Sequence, residues 1–588
     1  MITKDQHIAF YEVEIQTQLD DWRTYIRKRM NLLIKDKELF IGRFWDVDDE
    51  KGTVTIRFKR KEAPRLHWPY FFGIVGNAAE GSPNDWTFTF QEFIYSVDKN
   101  YYNKQGSDGQ AIQYGYNDPE YVFLEVTFED SSFFDLLKKE YLSQGQKPLL
   151  VVAKMYPPIN YLTNLKDFVS NSGNKLDSLN AKETLWNPTD IDNDSVTTDY
   201  FIDIIKSNDT ALVQGPPGTG KSYQAAAICD YFLKQNKAVA VCALTNKALL
   251  EISGQPGLTS ALIAGVVYKT NLSKDEQKLN PKLQPISGFL PKQGSLLLTT
   301  YYKLSEFYKD LINESKRFDL LIIEEASQAF FATLAMFQEL TSKALIIGDQ
   351  QQLPPIVITN KEKLLKINPN ISKVQLGLDT LANTLNSMAT FRFTKTRRLT
   401  SDASNLTGLF YDNKLKSNSP LNGKLSHPQK VEKIFHPNGG VSIAGIDIVG
   451  ENALSQADIL ERINHILLEL FVDSPDISIA ILVPTIYLEQ LLTQAISEKG
   501  FPKKNITIST IHRVQGITTD YTIYYMPLSN SHFELDPKLF NVATSRAKCG
   551  TLLITKSTVL INKMEKTVHH FLTKCKDVTS SFINLKIE

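Results

Sequence analysis

Eight consecutive residues, Gly215-Pro216-Pro217-Gly218-Thr219-Gly220-Lys221-Ser222, have the types and spacing to wrap a phosphate. Glycines let successive backbone N–H groups turn toward one anion without side-chain clashes, and a helix starting just afterwards aims its positive end at the same charge. The setting fits. The apolar run ALVQ precedes the loop and the helical pattern YQAAAICDYFLKQ follows it. Lys221 is placed to reach the β and γ phosphates of a nucleoside triphosphate, and the Ser222 hydroxyl to ligate Mg²⁺. Such a loop needs carboxylates at the end of another parallel strand, and Leu320-Leu321-Ile322-Ile323-Glu324-Glu325 supplies two. Glu324 is assigned to the metal and Glu325 to the attacking water, so the expected chemistry is Mg²⁺-dependent hydrolysis of a nucleoside triphosphate.

Parallel strands covered by helices must position these groups. From about residue 196, short apolar runs (TALVQG, AVAVCAL, SLLLTT, DLLIIEEA and KALIIGD) alternate with helix-length segments, the pattern of a parallel α/β sheet. A second series follows with SIAILVP (478–484), ITIST (506–510), YTIYYMP (521–527) and GTLLIT (550–555). Two tandem α/β domains are expected, over 179–390 and 391–588. Residues 1–178 read as a β-rich unit: a first helix around Asp20 to Leu33, then strands in GTVTIRF (52–58) and YVFLEVTF (121–128). YYNKQGSDGQAIQYGYNDPE (101–120) has the composition of a loop. Small polar residues in SNSGNKLDSLN (170–180) and NPTDIDNDS (187–195) predict a linker.

At 588 residues the chain is too long for one core, and its 42% hydrophobic and 22% charged residues exclude a fibrous or disordered protein. Basic and acidic residues balance at 65 each, so a polyanion must be held by local grooves and not by a general basic field. The cysteines, Cys229, Cys242, Cys549 and Cys575, lack metal or disulfide spacing and suit buried thiols in a reducing compartment. The start, MITKDQHIAFYEVEIQ, carries no apolar signal segment, and no stretch reaches a membrane span. The expectation is a soluble, intracellular chain without a membrane partner.

With EEASQ (324–328) and Gly348-Asp349-Gln350-Gln351-Gln352-Leu353-Pro354-Pro355, the motif order resembles that of the superfamily 1 helicases. The resemblance is best to their 1B branch, which includes the nonsense-mediated-decay and Dna2-like helicases. It continues through Leu244-Thr245-Asn246-Lys247-Ala248, Thr299-Thr300, Thr510-Ile511-His512-Arg513-Val514-Gln515-Gly516 and Asn541-Val542-Ala543-Thr544-Ser545-Arg546-Ala547-Lys548. It implies two RecA-like P-loop domains behind a small barrel-like accessory domain. Gln352 would sense the γ-phosphate and Gly516 would join the nucleotide pocket. Arg546 would be an arginine finger offered by the second domain when the cleft closes. A second arginine is expected ahead of Phe410-Tyr411, and spacing favours Arg397 over Arg398. Thr245, Asn246, Thr300 and Thr510 would contact the backbone of single-stranded DNA or RNA. The chain departs from the family where Thr198 and Asp199 replace an adenine-reading Gln, where Glu324 replaces Asp, where Thr518 replaces Glu, and where Thr485 replaces an aromatic residue.

The segment RFKRKEAPRLHWPYFF (57–72) admits two readings, a single-strand groove or a solvated strand leading into core aromatics. For the whole chain the expected function is an ATP-dependent translocase moving 5′ to 3′ on single strands. The alternative is a non-unwinding clamp, sensor or remodeller whose N-terminal domain recruits a protein partner.

Overall fold

The computed structural model describes residues 2–588 except 60–61, 67, 76–81, 99–105, 118–119, 129, 172–183, 194–197, 289–290, 385–387, 424, 448–452, 498–504, 515, 528–532, 561–564 and 586–588. Three sheets organise the chain, and the first is a closed antiparallel barrel. Its strands are β1 (Leu39–Asp48), β2 (Thr53–Lys59), β3 (Pro69–Ile74), β4 (Gly106–Asn117), β5 (Tyr121–Phe128) and β6 (Leu149–Lys154), in the order β1-β2-β5-β4-β3-β6. Alternate residues point inward, as the period of a strand requires, so Val54, Ile56 and Phe58 of β2 meet Val122, Leu124 and Val126 of β5 in the barrel core.

β4 corrects the expected loop at 101–120. Its glycines are what the barrel needs: a Cβ on Gly109 would stand 2.4 Å from the Thr127 carbonyl oxygen, so only glycine lets β5 close against it. Two register irregularities against β5 help the sheet curl shut. The first helix also differs from expectation. It spans Lys4–Ile26, started by a capping box between Thr3 and Gln6, and a short second helix covers Met30–Lys35. One face of the long helix (His7, Phe10, Tyr11, Glu14) is buried. With the helix Asn160–Asn171 this face packs into the core of the first α/β lobe, while Trp22, Tyr25 and Ile26 near the helix end pack against the barrel. The Glu14 carboxylate, fully buried, accepts hydrogen bonds from the backbone N–H groups of Ile358 and Thr359, each at 2.9 Å. Residues 1–178 therefore contribute both a barrel and the braces that hold it to the next lobe.

That lobe is a parallel sheet of β7 (Thr189–Ile191), β8 (Thr210–Gln214), β9 (Val239–Ala243), β10 (Val267–Thr270), β11 (Gln284–Ile286), β12 (Leu296–Thr300), β13 (Leu320–Ile323), β14 (Ala344–Gly348) and β15 (Ala389–Phe393). The order is β11-β10-β12-β9-β13-β14-β8-β15-β7. β7 forms inside the expected linker at 187–195, because Ile191 is buried and its strand pairs with β15. β15 in turn crosses the expected boundary at 390 and completes the first sheet. The polar stretch 170–180 lies largely outside the described residues. A two-residue pair, β16 (Lys395–Thr396) with β17 (Lys416–Ser417), follows at the joint. The second lobe holds β18 (Val441–Ile446), β19 (Ile479–Val483), β20 (Ile506–Thr510), β21 (Thr519–Met526), β22 (Ala547–Lys556) and β23 (Lys576–Asp577), parallel, in the order β20-β19-β21-β22-β18-β23. Except for ITIST, which forms the half-buried edge strand β20, the apolar runs read from the sequence are interior strands of the two sheets, largely buried. All four cysteines are free thiols, Cys229 and Cys242 fully buried. No helix among the described residues is long and apolar enough to cross a membrane.

The barrel also docks on the second lobe. Arg65 and Glu489 form a bidentate ion pair at the interface, with side chains only 7% and 8% exposed. Arg513 stands 3.5 Å from the same carboxylate and donates to the Leu66 carbonyl at 3.2 Å. Both guanidinium groups lie over the Trp68 ring, at 5.1 and 5.4 Å. Much of the basic and aromatic segment 57–72 is thus spent on packing: Arg65 on this joint, Tyr70 and Phe72 in the barrel core, and Arg57 over Trp45 and Tyr121. Arg60, Lys61 and His67 lie outside the described residues. Glu489→Gln keeps the shape but strands a buried cation, which costs about 3–5 kcal/mol. Differential scanning calorimetry should show the barrel releasing in an earlier transition, with faster limited proteolysis. An unchanged melt and digestion pattern would mean that the pair does not hold the joint.

Candidate nucleotide site between the two lobes

The phosphate loop sits between β8 and the helix Lys221–Lys234, at the carboxyl ends of the parallel strands. Its tightness is set by glycine. A Cβ on Gly215 would lie 2.3 Å from Lys221 Cγ, and Gly218 and Gly220 have φ of 73° and 83°, a left-handed backbone open to glycine at no cost. The Lys221 ammonium donates to the Gly215 carbonyl at 2.7 Å, folded back over its own loop. The chain entering the second lobe straps the loop from outside: Thr396 Oγ1 donates to the Pro217 carbonyl at 2.8 Å and the Arg397 N–H to the Gly218 carbonyl at 2.9 Å.

The strap places the two candidate arginines differently. Thr396 and Arg398 face the loop, Arg398 so closely that its Cβ would be 2.4 Å from a Cβ on Gly218, while the Arg397 side chain is exposed. Sequence spacing cannot see which of the two side chains enters the cleft. Arg398 Nη1 donates to the Ser545 carbonyl at 3.1 Å, and its Nε is a buried donor without an acceptor. Burial pulls its pKa down to about 10.

Arg546 follows the helix Pro537–Thr544 and is 2% exposed. Its guanidinium is held by uncharged groups, the Val542 carbonyl at 2.7 Å, the Ile517 carbonyl at 3.5 Å and Ser545 Oγ at 3.4 Å. Burial, and next the Arg398 guanidinium, pull its pKa down to about 9. Neither arginine has a carboxylate within ion-pair distance among the described residues. A buried guanidinium beside a half-buried one, with no carboxylate in ion-pair contact, is a costly arrangement that a bound phosphate would relieve.

On the first lobe, Glu324 and Glu325 follow β13. Glu324 is buried; its Oε1 lies 3.4 Å from Ser222 Oγ and its Oε2 accepts from the Glu325 N–H at 3.0 Å. The Tyr301 hydroxyl donates to its carbonyl. Glu325 has φ of 53°, so its side chain turns from the strand direction into the cleft. Burial, together with the Glu324 and Glu251 carboxylates, pushes its pKa up to about 7. Gly516 of the second lobe lies opposite: a Cβ there would be 3.7 Å from Glu325 Oε1. Among the described residues no three His, Cys, Asp or Glu side chains converge as a metal-binding group. The Ser222 hydroxyl and Glu324 carboxylate nevertheless form a hard-oxygen pair suited to Mg²⁺, which keeps most of its waters and takes phosphate oxygens.

Gln352 Nε2 donates to Asp349 Oδ2 at 2.8 Å. Asp349 is buried and also accepts from Gln214 Nε2 at 3.3 Å and from the Tyr411 hydroxyl at 2.6 Å. Asn541 Nδ2 donates to that hydroxyl and to the Gln351 carbonyl, both at 2.8 Å. Asp349, Tyr411 and Asn541 each fall inside a quoted motif, but residue type and spacing assign them no such part. Together they link the end of β8, the end of β14 and the second lobe in one buried network.

The threonines gather on the same edge. Thr245 and Thr300 end neighbouring strands β9 and β12 and cap the helices that follow, accepting from the Ala248 and Lys303 N–H groups at 3.2 and 3.3 Å. A hydroxyl that accepts still has its proton to donate. Asn246 is exposed and accepts from Lys269 Nζ at 3.0 Å. Thr510 ends β20 in the second lobe but is 8% exposed, its N–H donating to Glu489 at 2.9 Å under the barrel joint. Gln515 lies outside the described residues.

Two family models, each described as an AAA domain, match residues 199–376 and 393–558. The chain is 24% identical over 434 residues to a protein of Schizosaccharomyces pombe named ATP-dependent helicase upf1, covering 63% of this chain and 45% of that one. It is 25% identical over 424 residues to the DNA replication ATP-dependent helicase/nuclease DNA2 of Saccharomyces cerevisiae, covering 64% and 27%. This chain therefore spans less than half the length of these relatives. Among solved structures, an Arterivirus nonstructural protein 10 (helicase) superposes with a TM-score of 0.34 at 11% identity, over 90% of this chain and 79% of that one.

The unpaired guanidinium yields a stability test. Replacing a buried charge with an apolar side chain of similar size is often neutral or stabilising, by about 1–4 kcal/mol. Arg546→Met should leave the nucleotide-free chain as stable as the parent or more so in a thermal melt. A melting point several degrees lower would show that the charge is already compensated.

Proposed function

This chain belongs to the superfamily 1 helicases, in the branch of the nonsense-mediated-decay and Dna2-like enzymes, and from that premise we propose that it is an ATP-dependent motor on single-stranded nucleic acid. The observation that carries the reading is the pair of arginines, half-buried Arg398 beside Gly218 of the phosphate loop and fully buried Arg546 on the second lobe.

In this reading the backbone N–H groups of 215–220 and the Lys221 ammonium hold the triphosphate. Ser222 and Glu324 hold Mg²⁺, which when bound neutralises phosphate charge and fixes the geometry of the leaving group. Glu325, turned into the cleft and surrounded by carboxylates, accepts the proton of the attacking water. Gln352 would leave Asp349 to meet the γ-phosphate, and Gly516 would close over the pocket from the far side. Arg546 and Arg398 complete the charge only when the lobes approach, so hydrolysis is tied to closure. Thr245, Asn246 and Thr300 on one lobe and Thr510 on the other would then hold successive phosphates of a strand without reading bases. Movement 5′ to 3′ is carried over from the resemblance alone. The barrel, pinned beside Thr510, would roof that path.

The test is ATPase activity of the purified chain with single-stranded DNA, single-stranded RNA and neither, followed by displacement of duplexes with a 5′ or a 3′ overhang. Stimulation by a single strand and displacement only from the 5′ overhang are expected; stimulation without displacement would make the chain a clamp. Glu325→Gln should keep nucleotide binding and lose about 10²–10⁴-fold in turnover. Arg398→Ala should fall by about 10³-fold or more while Arg397→Ala stays near the parent. An Arg397→Ala chain that loses turnover with Arg398→Ala intact would reverse the assignment.

A further inference from the structure

A third carboxylate reaches the metal side of the pocket from an element assigned no part in it. The helix Asn246–Ser253 leaves β9 beside the phosphate loop, and its Glu251 lies 3.4 Å through Oε1 from Ser222 Oγ. That distance equals the one between Ser222 Oγ and Glu324 Oε1. Across the cleft, a Cβ on Gly516 would stand 3.7 Å from Glu251 Oε2, as it would from Glu325 Oε1. Glu251 therefore occupies the space between the loop serine and the second lobe, on the side where the nucleotide's cation must sit.

The ordinary use of such a residue is a helix-surface ion pair. Lys247 is one turn earlier, at the spacing that favours one, and both side chains are exposed. The pair is not made: among the described residues Glu251 has no lysine, arginine or histidine within ion-pair distance. Its carboxylate turns instead toward a hydroxyl that already faces Glu324. One hydroxyl has one proton and cannot donate to both carboxylates, so two negative groups converge on a single weak donor. A cation between them removes the conflict. Glu251 is not needed as a direct ligand, since no three acidic side chains converge among the described residues. Mg²⁺ keeps several waters, and their hydrogens need acceptors.

Resting on the pocket reading above, we propose that Glu251 belongs to the cation site: it accepts hydrogen bonds from water on the nucleotide-bound divalent ion and so sets the affinity of the pocket for that ion. Mn²⁺ is the probe. Free Mn²⁺ is measured by electron paramagnetic resonance as it is titrated into the full chain saturated with ADP, and binding of a fluorescent ADP is measured separately in excess EDTA. Glu251→Gln should weaken Mn²⁺ about tenfold or more and leave metal-free ADP binding unchanged or tighter. Lys247→Ala should leave Mn²⁺ affinity unchanged or higher. The proposal is overturned if Glu251→Gln takes up Mn²⁺ like the parent, or if Lys247→Ala loses as much affinity, since the carboxylate would then act through the lysine. A parent chain that binds no Mn²⁺ with ADP would sink the pocket reading and this inference together, and so is told apart from failure of the inference alone.

Discussion

Two guanidinium groups without a carboxylate between them are the constraint on which the rest of this structure depends. Arg398 and Arg546 rest on carbonyl and hydroxyl oxygens at the inner edge of the second lobe, and carboxylates beyond ion-pair distance offset only part of the cost of desolvating them. The acidic half of the site, Glu324, Glu325 and Glu251, is gathered on the first lobe with the loop lysine. Each lobe alone is electrostatically frustrated. In the proposed reading a metal-bound triphosphate, carrying both signs of charge, would satisfy both lobes at once and so draw them together.

The joint between the lobes is built so that such movement is small and defined. Thr396 and the Arg397 N–H are bonded to the phosphate loop itself, and the network of Asp349, Tyr411 and Asn541 runs from the end of β14 into the second lobe. Gln352 is held in that network, so its release toward a phosphate would loosen one contact as it forms another. Glu489 adds a second kind of coupling, because one carboxylate caps the Thr510 N–H and anchors Arg65 of the barrel. The end of β20 and the accessory domain thus share one carboxylate.

Much of this was legible in the sequence, for identifiable reasons. The phosphate loop and the Leu320 to Glu325 run are local patterns whose chemistry is fixed by residue type, and the apolar runs of both parallel sheets are unmistakable because such strands are buried on both faces. What escaped was whatever depends on direction or on distant partners. Arg397 and Arg398 differ only in which way an extended chain points them. Gly106 and Gly109 read as loop residues because composition cannot show that a neighbouring strand presses against them. The helix Lys4–Ile26 was placed too late because its buried face matches a lobe more than three hundred residues away. Glu251 and Asp349 looked like ordinary polar residues until the folded chain brought Ser222 to one and Tyr411 to the other.

The central claim is that both arginines exist to meet the γ-phosphate. A crystal structure of the chain with Mg²⁺, ADP and aluminium fluoride tests it most directly. The account predicts guanidinium nitrogens of Arg398 and Arg546 within about 3 Å of the fluoroaluminate, with Arg546 released from the Val542 carbonyl. A ligand seated on Lys221 while both arginines keep their present partners would contradict it.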